Sequence, residues 1–151
     1  MNLNDSFEKV REFHVAFGHR SAGKPTMLPE ERVEKRYNWM LEELEELRNA
    51  KTTHDQADAV IDLMYFALGT LVEMGVKPGP LFDIVHGANM KKLWPDGKVH
   101  YAEDGKVVKP PTWSPPEPQL LHEIERQFRE SNGHHVQRVR VQSSASRCAS
   151  A

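Results

Sequence analysis

Thr53-His54-Asp55-Gln56-Ala57-Asp58-Ala59-Val60-Ile61-Asp62-Leu63-Met64-Tyr65-Phe66-Ala67-Leu68-Gly69-Thr70-Leu71-Val72-Glu73-Met74-Gly75 decides the fold. Thr53 followed three positions on by Gln56 has the pattern of a capping box. Gly75 and then Pro78 supply a C-terminal glycine and a breaker. The span between them predicts a helix of about six turns. From Ala59 to Val72 its apolar residues point in every direction, which predicts burial on all sides. Asp62 interrupts that run, and Asp58, one turn earlier, shares its face. Asp55, Gly69 and Glu73 continue the same stripe. A carboxylate buried without a partner is costly or stays protonated, and two on one face repel. A positive group is therefore expected against Asp58 and Asp62: Lys, Arg or a metal ion. The plain structural version is a buried salt bridge to a neighbouring helix.

The segment upstream supplies acid, not base. In Met40-Leu41-Glu42-Glu43-Leu44-Glu45-Glu46-Leu47, Glu42, Glu43 and Glu46 fall within an arc of roughly 100° on a helix. Tyr37, Leu41, Leu44 and Leu47 form the opposite, apolar face. Alone, this reads as a solvated acidic face. The short link from Arg48 to Thr52 changes that, because it predicts an antiparallel helix pair. Glu42, Glu43, Glu46, Asp58 and Asp62 could then share one cleft. Oxygen-only donors favour a hard ion, Mg2+ or Mn2+. Lys35 and Arg36, one to two turns before the cluster, offer the structural alternative of local neutralisation.

The order of these motifs resembles the all-α nucleoside triphosphate pyrophosphohydrolases. This superfamily includes MazG, the dimeric dUTPases and phosphoribosyl-ATP pyrophosphohydrolase. The resemblance is carried by Glu42-Glu43-x-x-Glu46 and Asp58-Ala59-Val60-Ile61-Asp62, and extends over about residues 7–117 to His86-Gly87-Ala88-Asn89-Met90-Lys91-Lys92-Leu93, Asp96-Gly97-Lys98 and Asp104-Gly105-Lys106. It implies an all-α, antiparallel, MazG-like bundle of four to five helices. It also implies a Mg2+-dependent (or Mn2+-dependent) enzyme that cleaves a nucleoside triphosphate at the α-phosphate to monophosphate and pyrophosphate. Glu42, Glu43, Glu46 and Asp62 would be catalytic metal ligands, with Asp58 a further ligand. One departure stands out: the superfamily's second acidic motif is Glu-x-x-Asp, and its Glu position here is Ala59. Carboxylates would hold the metal and the metal the phosphates. Asn89 and Lys92, three apart on a fourth helix starting at Pro78 and Pro80, suit phosphate oxygens, and Lys98, Lys106 or Lys109 could neutralise departing pyrophosphate. Alternatives are phosphoribosyl-ATP pyrophosphohydrolase itself, and a non-catalytic helical oligomerisation module.

The rest of the 151 residues reads more plainly. Asn4 or Asp5 could cap a first helix, with Phe7, Val10, His14 and Phe17 facing inward; His14 reads as a hydrogen-bonded core residue. Gly18 to Leu28 is a loop carrying His19, Arg20 and Lys24. The Asp104-Gly105 dipeptide predicts a short β-hairpin or extended arm after the fourth helix. Trp113 is expected to anchor the proline-rich stretch behind it. Three segments follow: a pyrophosphohydrolase-like domain over 1–118, a short amphipathic helix over 119–131 ended by Asn132-Gly133, and a disordered tail over 132–151. A net charge of −2 gives no drive toward nucleic acid or membrane. One cysteine, Cys148, excludes a disulfide framework, and a cytoplasmic setting is expected. No glycine-rich phosphate loop is present. So small a core cannot enclose a nucleotide alone, so a homodimer or homotetramer is expected.

Overall fold

The computed structural model describes residues 2–145, with side chains up to residue 133. It contains α1 (Leu3–Ala16), α2 (Glu30–Asn49), α3 (Thr53–Met74), α4 (Pro78–Met90) and α5 (Glu117–Ala145). The chain is all-α, as expected. In place of a hairpin, the arm between α4 and α5 makes one isolated antiparallel bridge, Tyr101 to Val107, and the described residues form no strand.

Local chemistry sets the helix ends, in two cases one or two residues from where the sequence placed them. Asn2, not Asn4 or Asp5, caps α1 in a reciprocal box with Asp5. Thr52, not Thr53, caps α3: its hydroxyl accepts from Asp55 N–H at 3.1 Å, and its own N–H donates to the Asp55 carboxylate at 3.2 Å. A charged acceptor makes the stronger bond, so Asp55 displaces Gln56 from the role. The last helix does not end at Asn132-Gly133 but runs to Ala145. A single helical glycine costs only about 1 kcal/mol relative to alanine and does not force a stop. Residues 132–145 of the expected tail are thus helical, and 146–151 lie outside the described residues.

The core is small. Phe7 and Val10 of α1 pack on Leu68 and Val72 of α3, with Leu3 and Leu71 at its edge. Helix α3 packs against α1 and α2, while α4 turns away to meet α1 and α5. The expectation that α3 is buried all round therefore fails within one chain. Val60, Ile61, Met64 and Tyr65 are exposed, Ile61 by 58%. Composition records how apolar a helix is, not whether the same chain covers it. Phe17, expected inward, is also exposed.

Two devices lock α3 in place. The first is a buried charge network between the start of α2 and the end of α3. Arg32 donates to Glu73 through Nε (2.7 Å) and Nη2 (2.5 Å). Arg36 approaches Glu73 at 3.6 Å and donates to Thr70 Oγ1 and the Phe66 carbonyl. Gly69 makes room for this: a Cβ there would strike the Arg36 guanidinium and lie 2.9 Å from the His14 ring. His14 is buried, with Nδ1 2.7 Å from the Arg20 carbonyl, matching its sequence reading. The second device is the 18–28 loop, strapped to the end of α3 by Ala22 N–H to Val72 O (3.1 Å) and Thr26 N–H to Met74 O (2.8 Å).

Gly75 sits between strap and helix with φ 67°. A Cβ would meet the Lys24 and Ala22 carbonyl oxygens. Gly75→Ala adds a left-handed penalty to a backbone clash, so a loss of about 2 kcal/mol or more is expected. Denaturant melts compared with Gly87→Ala, whose Cβ would meet nothing within 4 Å, check it.

Candidate active site

The network that locks α2 to α3 also fixes their register. Arg32 meets Glu73, Arg36 meets Phe66 and Thr70, and Trp39 stacks on Phe66 at 5.9 Å. Each step forward on α2 matches a step back on α3, so the pair is antiparallel. Carried on, that register sets Glu43 against Asp62 and Glu46 against Asp58. The electrostatics agree. Glu43 is pushed above the usual carboxylate range by desolvation, then by the charges of Glu46, Asp62, Glu42 and Asp58. The expected five acids are thus gathered at one end of the helix pair.

They are gathered without compensation. Glu43 Oε2 is buried with no hydrogen-bond partner. Among the described residues none of the five is ion-paired: Arg36 is taken by Glu73 and Arg48 by Glu45. The local neutralisation by Arg36 that the sequence allowed does not occur. Glu42, Glu46, Asp58 and Asp62 are all exposed. The cluster is an open face rather than a finished cage, and among the described residues no three acids or histidines are close enough to hold an ion as they stand. Ala59, at the superfamily's Glu position, is buried and offers no donor.

Asn89 and the lysines make contacts of their own. Lys92 Nζ donates to Asn89 Oδ1 at 2.7 Å, so the two point the same way, as their spacing implies. Lys106 pairs with Asp104 at 2.9 Å, and Lys109 sits over the Trp113 ring at 3.9 Å. Trp113 Nε1 donates to the Ala88 carbonyl at 2.7 Å and anchors the segment. The two Asp-Gly-Lys motifs are matching turns. Asp96 and Asp104 accept from the N–H of Lys98 and Lys106, around Gly97 (φ 73°) and Gly105 (φ 79°). Both carboxylates lie below their ordinary range, Asp96 mainly through the Lys98 N–H and Asp104 mainly through the Lys106 side chain. No hydrogen bond or ion pair among the described residues joins Asn89, Lys92, Lys98, Lys106 or Lys109 to the acidic face.

With that geometry in hand, the family model for phosphoribosyl-ATP pyrophosphohydrolase matches residues 10–89, more than half of the chain and all of the acidic face. The chain belongs to the phosphoribosyl-ATP pyrophosphohydrolase family. This family sits within the MazG-like all-α NTP pyrophosphohydrolases. Among solved structures, a protein from Exiguobacterium sp. 255-15 classed as an NTP pyrophosphohydrolase is 35% identical, over 83% of this chain and 96% of that one, with a TM-score of 0.49. No curated protein matches. The phosphoribosyl-ATP pyrophosphohydrolase family match ends at Asn89, so Lys92 and the arm lie beyond it. No single helix among the described residues is long and apolar enough to cross a membrane. What the sequence missed is an exposed aromatic group beside the acids, Phe13, Phe17, His19 and Tyr65. The inward assignment of Phe17 concealed it.

Proposed function

We propose that this chain is a divalent-metal-dependent nucleoside triphosphate pyrophosphohydrolase. The observation that carries the reading is the uncompensated acidic face, with Glu43 Oε2 buried and unpartnered among four further carboxylates. Such a face repels a polyphosphate unless cations stand between them. Its donors are all oxygen, which fits Mg2+ or Mn2+. Glu42, Glu43, Glu46 and Asp62 would hold the ion, with Asp58 a further ligand. Glu42, Glu46, Asp58 and Asp62 are exposed and able to turn toward an ion held beside Glu43, on two helices already in register. Bound there, the ion would supply charge neutralisation and an acidified water. The chain's own part is to set the attack position between α2 and α3. Asn89 and Lys92 bind phosphate oxygens, and Lys98, Lys106 and Lys109 take up the charge of departing pyrophosphate.

A second copy would bring further lysines to the acids, and the same assembly would cover the apolar face of α2 and α3. Tyr37, Leu41, Leu44, Val60, Ile61 and Met64 are all exposed on these two helices. A patch of this kind marks an interface. A homodimer or homotetramer is therefore part of the proposal, and light scattering reads it directly. Hydrolysis of phosphoribosyl-ATP would use the same parts, and nothing in the geometry favours it over a (d)NTP.

The test is pyrophosphate release from a panel of NTPs, dNTPs and phosphoribosyl-ATP, with Mg2+, Mn2+ or EDTA. Release with metal and none with EDTA is expected, together with a rise in Tm on adding metal to the apoprotein. No release with any metal, and no shift in Tm, would leave a non-catalytic helical module.

A further inference from the structure

The acidic face can seat phosphates, but nothing in it can recognise a base. Next to it stands a group of rings that the bundle does not bury. Phe13 packs on Phe17 with centroids 4.4 Å apart, lies nearly parallel to His19 at 5.7 Å, and meets Tyr65 edge-on at 5.7 Å and 82°. Tyr65 follows Asp62 by three residues, so the two are neighbours on one face of α3, separated by about 4.5 Å along the axis.

This is not an ordinary core cluster. The rings touch one another, yet Phe13 is 37%, Tyr65 40% and Phe17 68% exposed, while the true core of Phe7, Val10, Leu68 and Val72 is closed. The polar edges are also unspent: among the described residues neither the Tyr65 hydroxyl nor the His19 ring has a hydrogen-bond partner. His19 is nevertheless held in place. Its N–H donates to the His14 carbonyl at 2.7 Å, His14 in turn lies against the Arg20 carbonyl, and the loop beyond is tied to Val72 and Met74. A partly exposed ring cluster with unpartnered polar edges, joined to the acidic face through Tyr65 one turn beyond Asp62, suits a flat heteroaromatic ring.

We infer that Phe13, Phe17, His19 and Tyr65 form the seat for the nucleobase, with the stacked Phe13–Phe17 pair offering the ring surface and His19 and Tyr65 reading the edge of the base. The inference rests on the nucleotide reading of the acidic face. Its test uses the full chain and two measurements that separate the two ideas. One is titration, by calorimetry, of nucleoside 5′-monophosphates against ribose 5-phosphate as a base-free control. The other is KM and kcat on the triphosphate panel. The wild type is expected to bind the nucleoside monophosphates more tightly than ribose 5-phosphate. Phe13→Leu and His19→Ala should each weaken that binding and raise KM by about tenfold, the scale of one lost stack, with kcat and ribose 5-phosphate binding little changed. If the wild type cleaves no triphosphate yet shows this Phe13-dependent preference, the hydrolase reading fails and the base seat stands. Equal binding of the two ligands by the wild type overturns the seat. So do unchanged Kd and KM in both variants, or a change in assembly mass by light scattering with Kd unaltered, which would make the rings a subunit contact. Because the His19 side chain is exposed, its variant keeps the test open should Phe13→Leu fold poorly.

Discussion

Asp62→Asn and Glu43→Gln are expected to lose pyrophosphate release by about a hundredfold or more while the protein stays folded. Each swap keeps shape and removes the charge that a metal ligand must carry. The two positions face each other across the α2–α3 seam, so both remove donor charge from the same centre. Stability should move the other way. Glu43 is desolvated among four acids and Asp62 is one of them, so removing either charge relieves repulsion in the metal-free chain. Tm without metal should hold or rise, the usual trade between an active site and stability, and the metal-induced rise in Tm should shrink. Initial rates with pyrophosphate detection, far-UV circular dichroism and melts with and without Mg2+ provide the readout. Full turnover in both variants would remove these residues from the site.

Glu73→Gln should do the reverse, with a large loss of stability and no direct effect on chemistry. Glu73 has no exposed surface, and Arg36 is only 5% exposed. Neutralising the acid leaves Arg36 a buried cation without its counterion, which costs about 3–5 kcal/mol and lowers Tm by roughly 10 °C. Replacing the pair together, Arg36→Met with Glu73→Leu, should cost less than the sum of the single changes, because the buried Arg36 cation goes with its partner and the one charge left over, Arg32, reaches solvent. The pH dependence follows. Burial pushes Glu73 up, but the Arg32 hydrogen bonds and the charges of Arg36 and Arg32 outweigh it and hold the carboxyl below its ordinary value. A depressed carboxylate stabilises the fold above the unfolded pKa of about 4.3 and loses that contribution as pH falls through the folded value. The wild type should therefore lose stability below about pH 4 more steeply than Glu73→Gln, as acid titrations followed by circular dichroism would show.

The sequence revealed the acidic arrangement because local periodicity determines it. Asp58 and Asp62 share a face by spacing alone, and the short link after Arg48 left α2 and α3 little choice but to pair. The caps came out within one or two residues, since Thr52 and Thr53 compete for one role and only the charge on Asp55 decides. Long-range partners were hidden. Glu73 lay on the noted stripe, but Arg32, which neutralises it, is 41 residues away. The bland reading of a buried acid clasped by arginine was thus right in kind, for Glu73 rather than Asp62. The exposure of Ile61, Met64 and Phe17 was hidden for another reason: apolar spacing marks a face that wants cover without saying whose. Lys92 and the arm showed their chemistry but not their local partners, Asn89, Asp104 and Trp113.

The α2–α3 pair keeps its ion-pair network and its acidic face at opposite ends. Opposite charges, the Gly69 recess and the loop strap hold one end, while at the other five acids crowd together without ion-pair partners among the described residues, beside the Ala50–Thr52 link. Substitutions at the acids thus draw little on what keeps the chain folded. On the proposed reading, changes at that end would alter activity without first requiring compensating stability elsewhere.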